Sequence, residues 1–300
     1  MEILRLIEGI RTPFLDTVIG MITQLGEETI GVIIFCTIFW CVNKRVAYGI
    51  GMTFFFSGLT VQGMKICFRV DRPWIADPTL TAVPSAMENA TGYSFPSGHT
   101  QSAASLFGAL GVQTRQKTIR AVCFLVAILV AFSRIYLGVH TPLDVATSLL
   151  ISLLFVLLTV KILASDEINK KRELTIALIM ILYTVIVIVI AAALYSNGLI
   201  EHSNLSDCLK AAGAGIGFAT GMLVERIYIS FSAETKSIPQ LIIRNVFGLV
   251  GVIAIKEGLK IIIGTGLVID MIRYFLMLTW VMIIFPLIIK RFLTTVTDID

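Results

Sequence analysis

Eight residues in three short segments have the types and the spacing to bind and cleave a phosphate ester. Lys65 and Arg72 lie seven positions apart, about two helical turns, and can clamp an anion, with the arginine offering a planar fork to phosphate oxygens. Pro96-Ser97-Gly98-His99 opens an apolar run. Free backbone N–H groups at such a helix start, with glycine allowing close approach, make an anion site. Arg134 ends another apolar run and adds a third cation. His140 precedes Asp144 by four residues, so the carboxylate can hold one imidazole nitrogen and leave the other lone pair for attack on phosphorus. That is the orienter and nucleophile of a triad without its serine. His99 then suits the acid that protonates the leaving oxygen and the base that activates water.

Such groups sit at the ends of membrane-crossing helices, because the composition leaves no other class. Of 300 residues, 56% are hydrophobic and 15% charged, where soluble chains carry about 25% charge. Mean hydropathy is +0.89. So little charge cannot coat a water-facing surface, and so apolar a chain does not stay solvated as a disordered one. Apolar runs predict spans near residues 28–43, 46–66, 97–114, 119–138, 141–162, 174–198, 209–229, 238–261 and 267–290, each near the ~20 residues a crossing helix needs. The expected fold class is all-α, a polytopic helical membrane bundle of about nine transmembrane helices. Ahead of them, Glu2, Arg5, Glu8 and Arg11 alternate with Ile3, Leu4, Leu6, Ile7 and Ile10, the pattern of a helix lying in the interface over residues 1–12. Residues 13–25, broken by Asp16, read the same way. No cleavable apolar leader precedes them.

A polar linker over 164–173, with Asp166, Glu167, Lys170, Lys171 and Arg172, divides a core at 1–163 from a four-span extension at 174–292. The net charge of +4 is scattered in short basic groups that set orientation and imply no nucleic-acid partner. Fourteen Lys and Arg, among them Lys44, Arg45, Arg115, Lys161, Lys236 and Arg244, fall on one side and ten on the other. The richer side is expected to be cytoplasmic, so all three segments face outward. Five cysteines without metal-like spacing read as packing residues. Gly213, Gly215, Gly217 and Gly221 form a small-residue face for close helix packing. Arg69 and Asp71 suggest a salt bridge or a headgroup contact. Lys256, Glu257, Lys260, Asp270 and Arg273, around Gly264-Thr265-Gly266, read as helix-end anchors that pair with one another, or else as selectors of a headgroup.

Lys65…Arg72-Pro73, Pro96-Ser97-Gly98-His99 and Ser133-Arg134…His140…Asp144 resemble, position for position, the K-x6-RP, PSGH and SR-x5-H-x3-D motifs of the type 2 phosphatidic acid phosphatase (PAP2) family. That family includes lipid phosphate phosphatases and the soluble vanadium haloperoxidases. The resemblance covers about residues 1–163. It implies that Lys65, Arg72, Ser97, Gly98 and Arg134 hold the phosphate, that His99 is the acid and base, that His140 becomes a phosphohistidine, and that Asp144 orients it. Leu25-Gly26-Glu27-Glu28 with Phe39-Trp40 looks like the sphingosine-phosphate-phosphatase-like branch.

The expected protein is a multi-pass cell-membrane enzyme, in a bacterial plasma membrane, that hydrolyses a lipid phosphate or diphosphate at the outer face. It uses no cofactor and no metal, since three cations and a helix start supply the positive charge that Mg²⁺ gives elsewhere. A phosphotransferase using the same site is the alternative enzyme. A lipid transporter or binding protein is the non-catalytic one, although binding alone would not need both His99 and His140. Haloperoxidase chemistry belongs to a soluble branch and is set aside.

Overall fold

The structure, a computed structural model, describes residues 1–88, 90–164, 169–235 and 237–293; Asp166, Glu167 and Lys236 lie outside the described residues. Among the described residues every regular element is helical. The chain runs through α1 (Glu2–Glu8), α2 (Pro13–Gln24), α3 (Glu28–Thr37) with a π-helical continuation at Ile38–Val42, and α4 (Lys44–Phe68). Two single turns follow, α5 (Pro73–Ala76) and α6 (Pro84–Met87), then α7 (Gly98–Gln113), α8 (Lys117–Tyr136) and α9 (Pro142–Ile162). The second half holds α10 (Lys170–Ser196), α11 (His202–Val224) with π-helical Glu225–Ile229, and α12 (Ile238–Ile253). A π-helical Ala254–Gly258 leads into α13 (Leu259–Ile263). Last come α14 (Leu267–Thr279), π-helical Trp280–Ile284 and α15 (Phe285–Phe292).

The helix starts follow from local chemistry. Thr12 caps α2 by accepting from Leu15 N–H, with Pro13 in the first turn, where its missing donor costs nothing. This cap ends the expected interfacial helix early, because α1 stops at Glu8 rather than continuing to residue 12. Asn169 caps α10 through the N–H groups of Lys171 and Arg172, so residues 170–173, assigned above to the linker, are helical.

All nine apolar runs are helical, but four helices are both long and apolar enough to cross a membrane: α8, α9, α10 and the run Leu267–Phe292. A fifth is reached if α2 and Glu28–Cys41, bent by 43°, make one span. The chain is therefore a multi-pass helical membrane protein with at least four candidate spans, and the count of nine is not reached on length and composition. Length and composition both contribute: α7 and α12 are 16 residues each, α4 carries polar residues such as Ser57 and Gln62, and α11 is rich in small residues.

The chain divides into two compact units, one of Met1–Val32 with Met52–Ile162, the other of Ile33–Gly51 with Leu163–Asp300. In the first, α7 packs against α8 and α9. Hydrogen bonds cross the buried helix faces between Thr53 and Thr159 (2.8 Å), Ser57 and Ser105 (2.7 Å), Gln101 and Ser57 (2.8 Å), and Ser105 and Ser152 (3.3 Å). Such bonds fix helix register where apolar packing alone would let helices slide. In the second unit the small-residue face of α11 lies against α14: a Cβ on Gly213 would come within 2.0 Å of the Met271 carbonyl oxygen, and one on Gly217 within 2.8 Å of the Phe275 oxygen. That is the close packing expected of the stripe.

Candidate active site

The three chemistry-bearing segments meet within the first unit. The turn after α8 is tight. Val139 and His140 both donate their N–H to the Arg134 carbonyl at 3.2 Å, and Gly138 sits at φ +77°. Any Cβ there would lie 2.6 Å from Arg11 Nη2. The loop between α5 and α7 braces the turn from one side: Val83 N–H donates to the Leu137 carbonyl at 3.0 Å, and Ala82, Val83, Ala86 and Ala90 share an apolar cluster with Tyr136, Leu137 and Val139.

His140 is buried between Arg72 and Asp144. Arg72 Nη1 stands 2.8 Å from His140 Nε2, and Asp144 Oδ2 3.3 Å from Nδ1. Arginine has only donors, so Nε2 is the accepting nitrogen and the proton rests on Nδ1, facing the carboxylate. Asp144 Oδ2 also accepts from Ser94 Oγ at 2.6 Å and from Thr141 N–H at 2.8 Å. Burial holds the His140 imidazole well below its ordinary pKa, and Arg72, Arg134 and Lys65 push the same way against the pull of Asp144. The ring is thus a neutral base with its free lone pair under Arg72.

Arg72 is not on the same helix as Lys65, contrary to the two-turn spacing expected above. Helix α4 ends at Phe68, Arg69 takes a left-handed turn at φ 50°, and Arg72 caps the short α5. The turn leaves Arg72 free to gather carbonyls: Nε donates to Gly92 at 3.0 Å, Nη2 to Thr91 at 2.6 Å and Nη1 to Val139 at 3.1 Å. Burial lowers its pKa to about 10, opposed by Asp144, and it stays a cation at neutral pH. Lys65, on the last turn of α4, donates to the Tyr93 carbonyl at 3.2 Å. Arg69, half-buried at the turn, and Asp71, exposed, form no ion pair among the described residues.

Ser97 caps α7, accepting from Thr100 N–H, and its own N–H donates to the Asp144 carbonyl at 3.2 Å. This bond ties the start of α7 to the start of α9. Gly98 is the first residue of α7, and a Cβ there would meet nothing within 4 Å, so space stands open beside it. His99 follows on the same turn.

A cleft of about 280 Å³ opens here, lined by Asp16, Thr17, Gly20, Met21, Thr23, Gln24, Glu27, Ser85, Ala86, His99, Arg134 and Leu137. Glu27 Oε1 lies 3.3 Å from His99 Nε2. The approach depends on Gly26, where a Cβ would lie 2.8 Å from the His99 carbonyl oxygen and 2.9 Å from Val130 Cγ1. Arg134, 1% exposed, donates from Nη1 to Thr23 Oγ1 at 2.9 Å, while its buried Nε has no partner among the described residues.

The structure thus joins Arg72, His140 and Asp144 directly, links Ser97 to Asp144, and puts His99 and Arg134 on one cleft. Three contributors escaped the sequence reading. Glu27 stood there only as part of a branch pattern, while Ser94 and Thr23 are hydroxyls with no spacing to mark them. Among the described residues no three His, Cys, Asp or Glu side chains gather as metal ligands.

Comparison with known proteins places this geometry among relatives. Residues 45–168 match the PAP2 superfamily, and residues 209–295 match the PAP2 superfamily phosphatase, transmembrane extension. Phosphatidylglycerophosphatase B of Bacillus subtilis (strain 168) is 28% identical over 152 residues, which cover 45% of this chain and 69% of the relative. A probable sphingosine-1-phosphate phosphatase of Dictyostelium discoideum is 28% identical over 170 residues, 51% of this chain and 40% of that one. Among solved structures, Aquifex aeolicus LpxE is 30% identical, with 53% of this chain and 93% of that one aligned at a TM-score of 0.46. The PAP2-type phosphatidylglycerolphosphate phosphatase of Bacillus subtilis is 23% identical, with 55% and 85% aligned at 0.45.

Proposed function

We propose that this chain, which belongs to the PAP2 superfamily and is a phosphoric monoester hydrolase of the membrane, cleaves a lipid phosphate by way of a phosphohistidine on His140. The observation that carries the reading is the neutral His140, with Nδ1–H on Asp144 and the Nε2 lone pair 2.8 Å from Arg72. A phosphoryl group brought between the two takes N–H donors of Arg72 on its oxygens while Nε2 meets phosphorus.

In the first half-reaction the Nε2 lone pair forms the N–P bond and the P–O ester bond breaks. Its electron pair goes to the leaving oxygen, which takes a proton from His99. In the second, water gives a proton to His99 and its oxygen to phosphorus. The N–P bond then breaks, its pair returns to Nε2, and inorganic phosphate leaves. Arg72, Arg134, Lys65 and the Gly98 N–H at the start of α7 stabilise charge on the equatorial oxygens. This donor set does without a metal, so activity persists in EDTA. Asp144 and Ser94 keep the Nδ1–H tautomer through both halves.

The catalytic role belongs to residues 1–163, and none of it is assigned to the extension at 174–292. The excess of Lys and Arg on the opposite side supports an outward-facing site, reached by a substrate whose tail stays in the bilayer. The test is phosphate release by the detergent-purified full chain on phosphatidylglycerophosphate, phosphatidate and a sphingoid phosphate, with EDTA, beside His140→Ala. Release that EDTA spares and His140→Ala abolishes, with an acid-labile, base-stable phosphoryl label on the wild-type protein, supports the mechanism. Release lost in EDTA, or retained by His140→Ala, overturns it.

A further inference from the structure

The cleft beside His99 is not lined as a simple phosphate pocket. Two carboxylates, Asp16 and Glu27, share its wall with the single cation Arg134. Glu27 touches the nitrogen of His99 that faces the leaving oxygen in the proposed reaction, at 3.3 Å. Asp16 accepts from the Tyr136 hydroxyl through Oδ1 at 3.0 Å, and its Oδ2 takes no hydrogen bond among the described residues. The buried Arg134 Nε also lacks a partner. An unpaired donor and an unpaired acceptor on one cleft mark two ends of a ligand, an anionic end and a donor-bearing end.

We propose that Glu27 and Asp16 form the leaving-group subsite and select phosphate monoesters whose leaving alcohol carries a hydrogen-bond donor, a hydroxyl or an ammonium, beside the ester oxygen. The proposal rests on the hydrolase reading above, since it needs His99 at the leaving oxygen. It narrows that reading in two ways. A plain alkyl alcohol offers neither carboxylate a further donor and displaces water from both, which is costly. A lipid diphosphate is worse, because its leaving group is itself a phosphate anion and would meet two like charges. An ammonium on the second carbon, three bonds from the ester oxygen, gives both carboxylates a charge-assisted donor and ranks first.

The test uses the full-length protein in detergent with four matched substrates: dodecyl phosphate, 2-hydroxydodecyl phosphate, 2-aminododecyl phosphate and dodecyl diphosphate. In the wild type, kcat/KM is expected to be at least about tenfold higher for the amino than for the plain ester, with the hydroxy ester between them. The diphosphate is expected to fall about tenfold or more below the plain ester. Glu27→Gln lowers every rate through its contact with His99, so the readout is the ratio of amino to plain ester. That ratio drops about fivefold or more in Glu27→Gln and in Asp16→Asn, and the diphosphate penalty shrinks. Ratios do not depend on the fraction of a variant that folds. Dodecyl phosphate hydrolysis with wild-type ratios near one, or ratios unmoved by both substitutions, overturns this inference and leaves the hydrolase reading standing. No phosphate from any of the four substrates overturns both.

Discussion

The two compact units bury charge in opposite ways. In the second, three cations meet carboxylates, and Arg244 is the exception. Arg226 meets Glu173 at 3.1 Å, Lys44 meets Glu225 at 2.7 Å with the Tyr48 hydroxyl also on that carboxylate, and Arg273 meets Asp270 at 2.7 Å. Arg244, fully buried, spends its Nη groups on the carbonyls of Trp40, Ser232, Ala233 and Leu293. In the first unit, Arg72 and Arg134 are held by carbonyls, a histidine and a hydroxyl, none of which neutralises them. Neutral acceptors fix a guanidinium in place and leave its charge for an incoming anion. A carboxylate fixes it and removes the charge. Intramembrane ionisable groups are functional by default, and the kind of partner separates Arg72 and Arg134 from the three ion pairs of the second unit, while Arg244, on carbonyls, follows the first pattern.

The sharpest way to break this comparison is to remove the nucleophile. His140→Ala is expected to lower kcat by at least about 10³-fold, and Asp144→Asn by about 10²-fold or more through loss of the correct tautomer, read as phosphate release. Arg72→Lys keeps the charge but not the fork that reaches Thr91, Gly92, Val139 and His140. A loss of about 10²-fold in kcat/KM is expected. Near wild-type activity in Arg72→Lys would mean that charge alone matters and that the carbonyl cradle is incidental.

Arg226→Ala should do the converse. It leaves the buried Glu173 carboxylate alone, at a cost of about 3 kcal/mol or more in stability, while kcat per folded molecule stays within about threefold. Replacing both partners by apolar residues of similar size should restore most of the stability. Thermal unfolding in detergent beside activity per folded protein checks both. A selective loss of kcat in Arg226→Ala would make the second unit part of the catalytic apparatus and erase the contrast.

How far this was readable beforehand varies by residue. His140 and Asp144 were legible because a one-turn spacing dictates their contact, and Ser97-Gly98-His99 because helix-start chemistry is local. The position of Arg72 was misread as helical. Nothing in Phe68-Arg69-Val70 signals a left-handed turn, and an arginine at positive φ is held there by its surroundings. Glu27 and Thr23 were invisible as site residues because they reach His99 and Arg134 across 72 and 111 positions, through a close approach that only Gly26 permits. The pairing of Asp270 with Arg273 was anticipated by their spacing of three. Lys256, Glu257 and Lys260, on the π-helical turn at Ala254–Gly258 and on α13, form no ion pair among the described residues. Length and composition support four or five of the nine expected spans, and the rest fall on helices that are shorter or more polar.

The protonation state of His140 gives a smaller, pH-resolved test. Its pKa is lowered by burial and by three cations, so the unfolded chain, near its ordinary value of about 6.5, binds the extra proton first as the pH falls. The stability supplied by the neutral ring is therefore complete above about pH 6.5 and is lost progressively below it. Nitrogen-15 NMR of the histidines should show the His140 Nδ1–H tautomer unchanged from pH 8 to about 5.5. A midpoint near 6.5 would mean that water reaches the ring and that Arg72 does not cover it.

The smallest effect is expected at the clip between the N-terminal segment and the loop that holds Asp77 and Thr81. Arg5 Nη2 meets Asp77 Oδ2 at 2.8 Å and the Thr79 hydroxyl at 3.1 Å, while the Glu8 carboxylate takes the Thr81 hydroxyl. The Thr79 hydroxyl, with Arg5 next, holds the Asp77 carboxyl down to about 2, so the pair is ionised through the neutral range and its strength does not vary with pH there. Arg5 is 59% exposed at its side chain, and such pairs are screened by salt and contribute little. Arg5→Ala should change kcat/KM by less than about twofold, and the difference should vanish in about 0.5 M salt. Arg11, whose Nε donates to the Tyr136 carbonyl at 2.8 Å beside the catalytic turn, should matter more than Arg5. A loss of tenfold or more in Arg5→Ala, persisting in high salt, would mean that the N-terminal segment sets the geometry of the cleft that Asp16 and Glu27 line. The excess-charge region would then extend to the first turn of the chain.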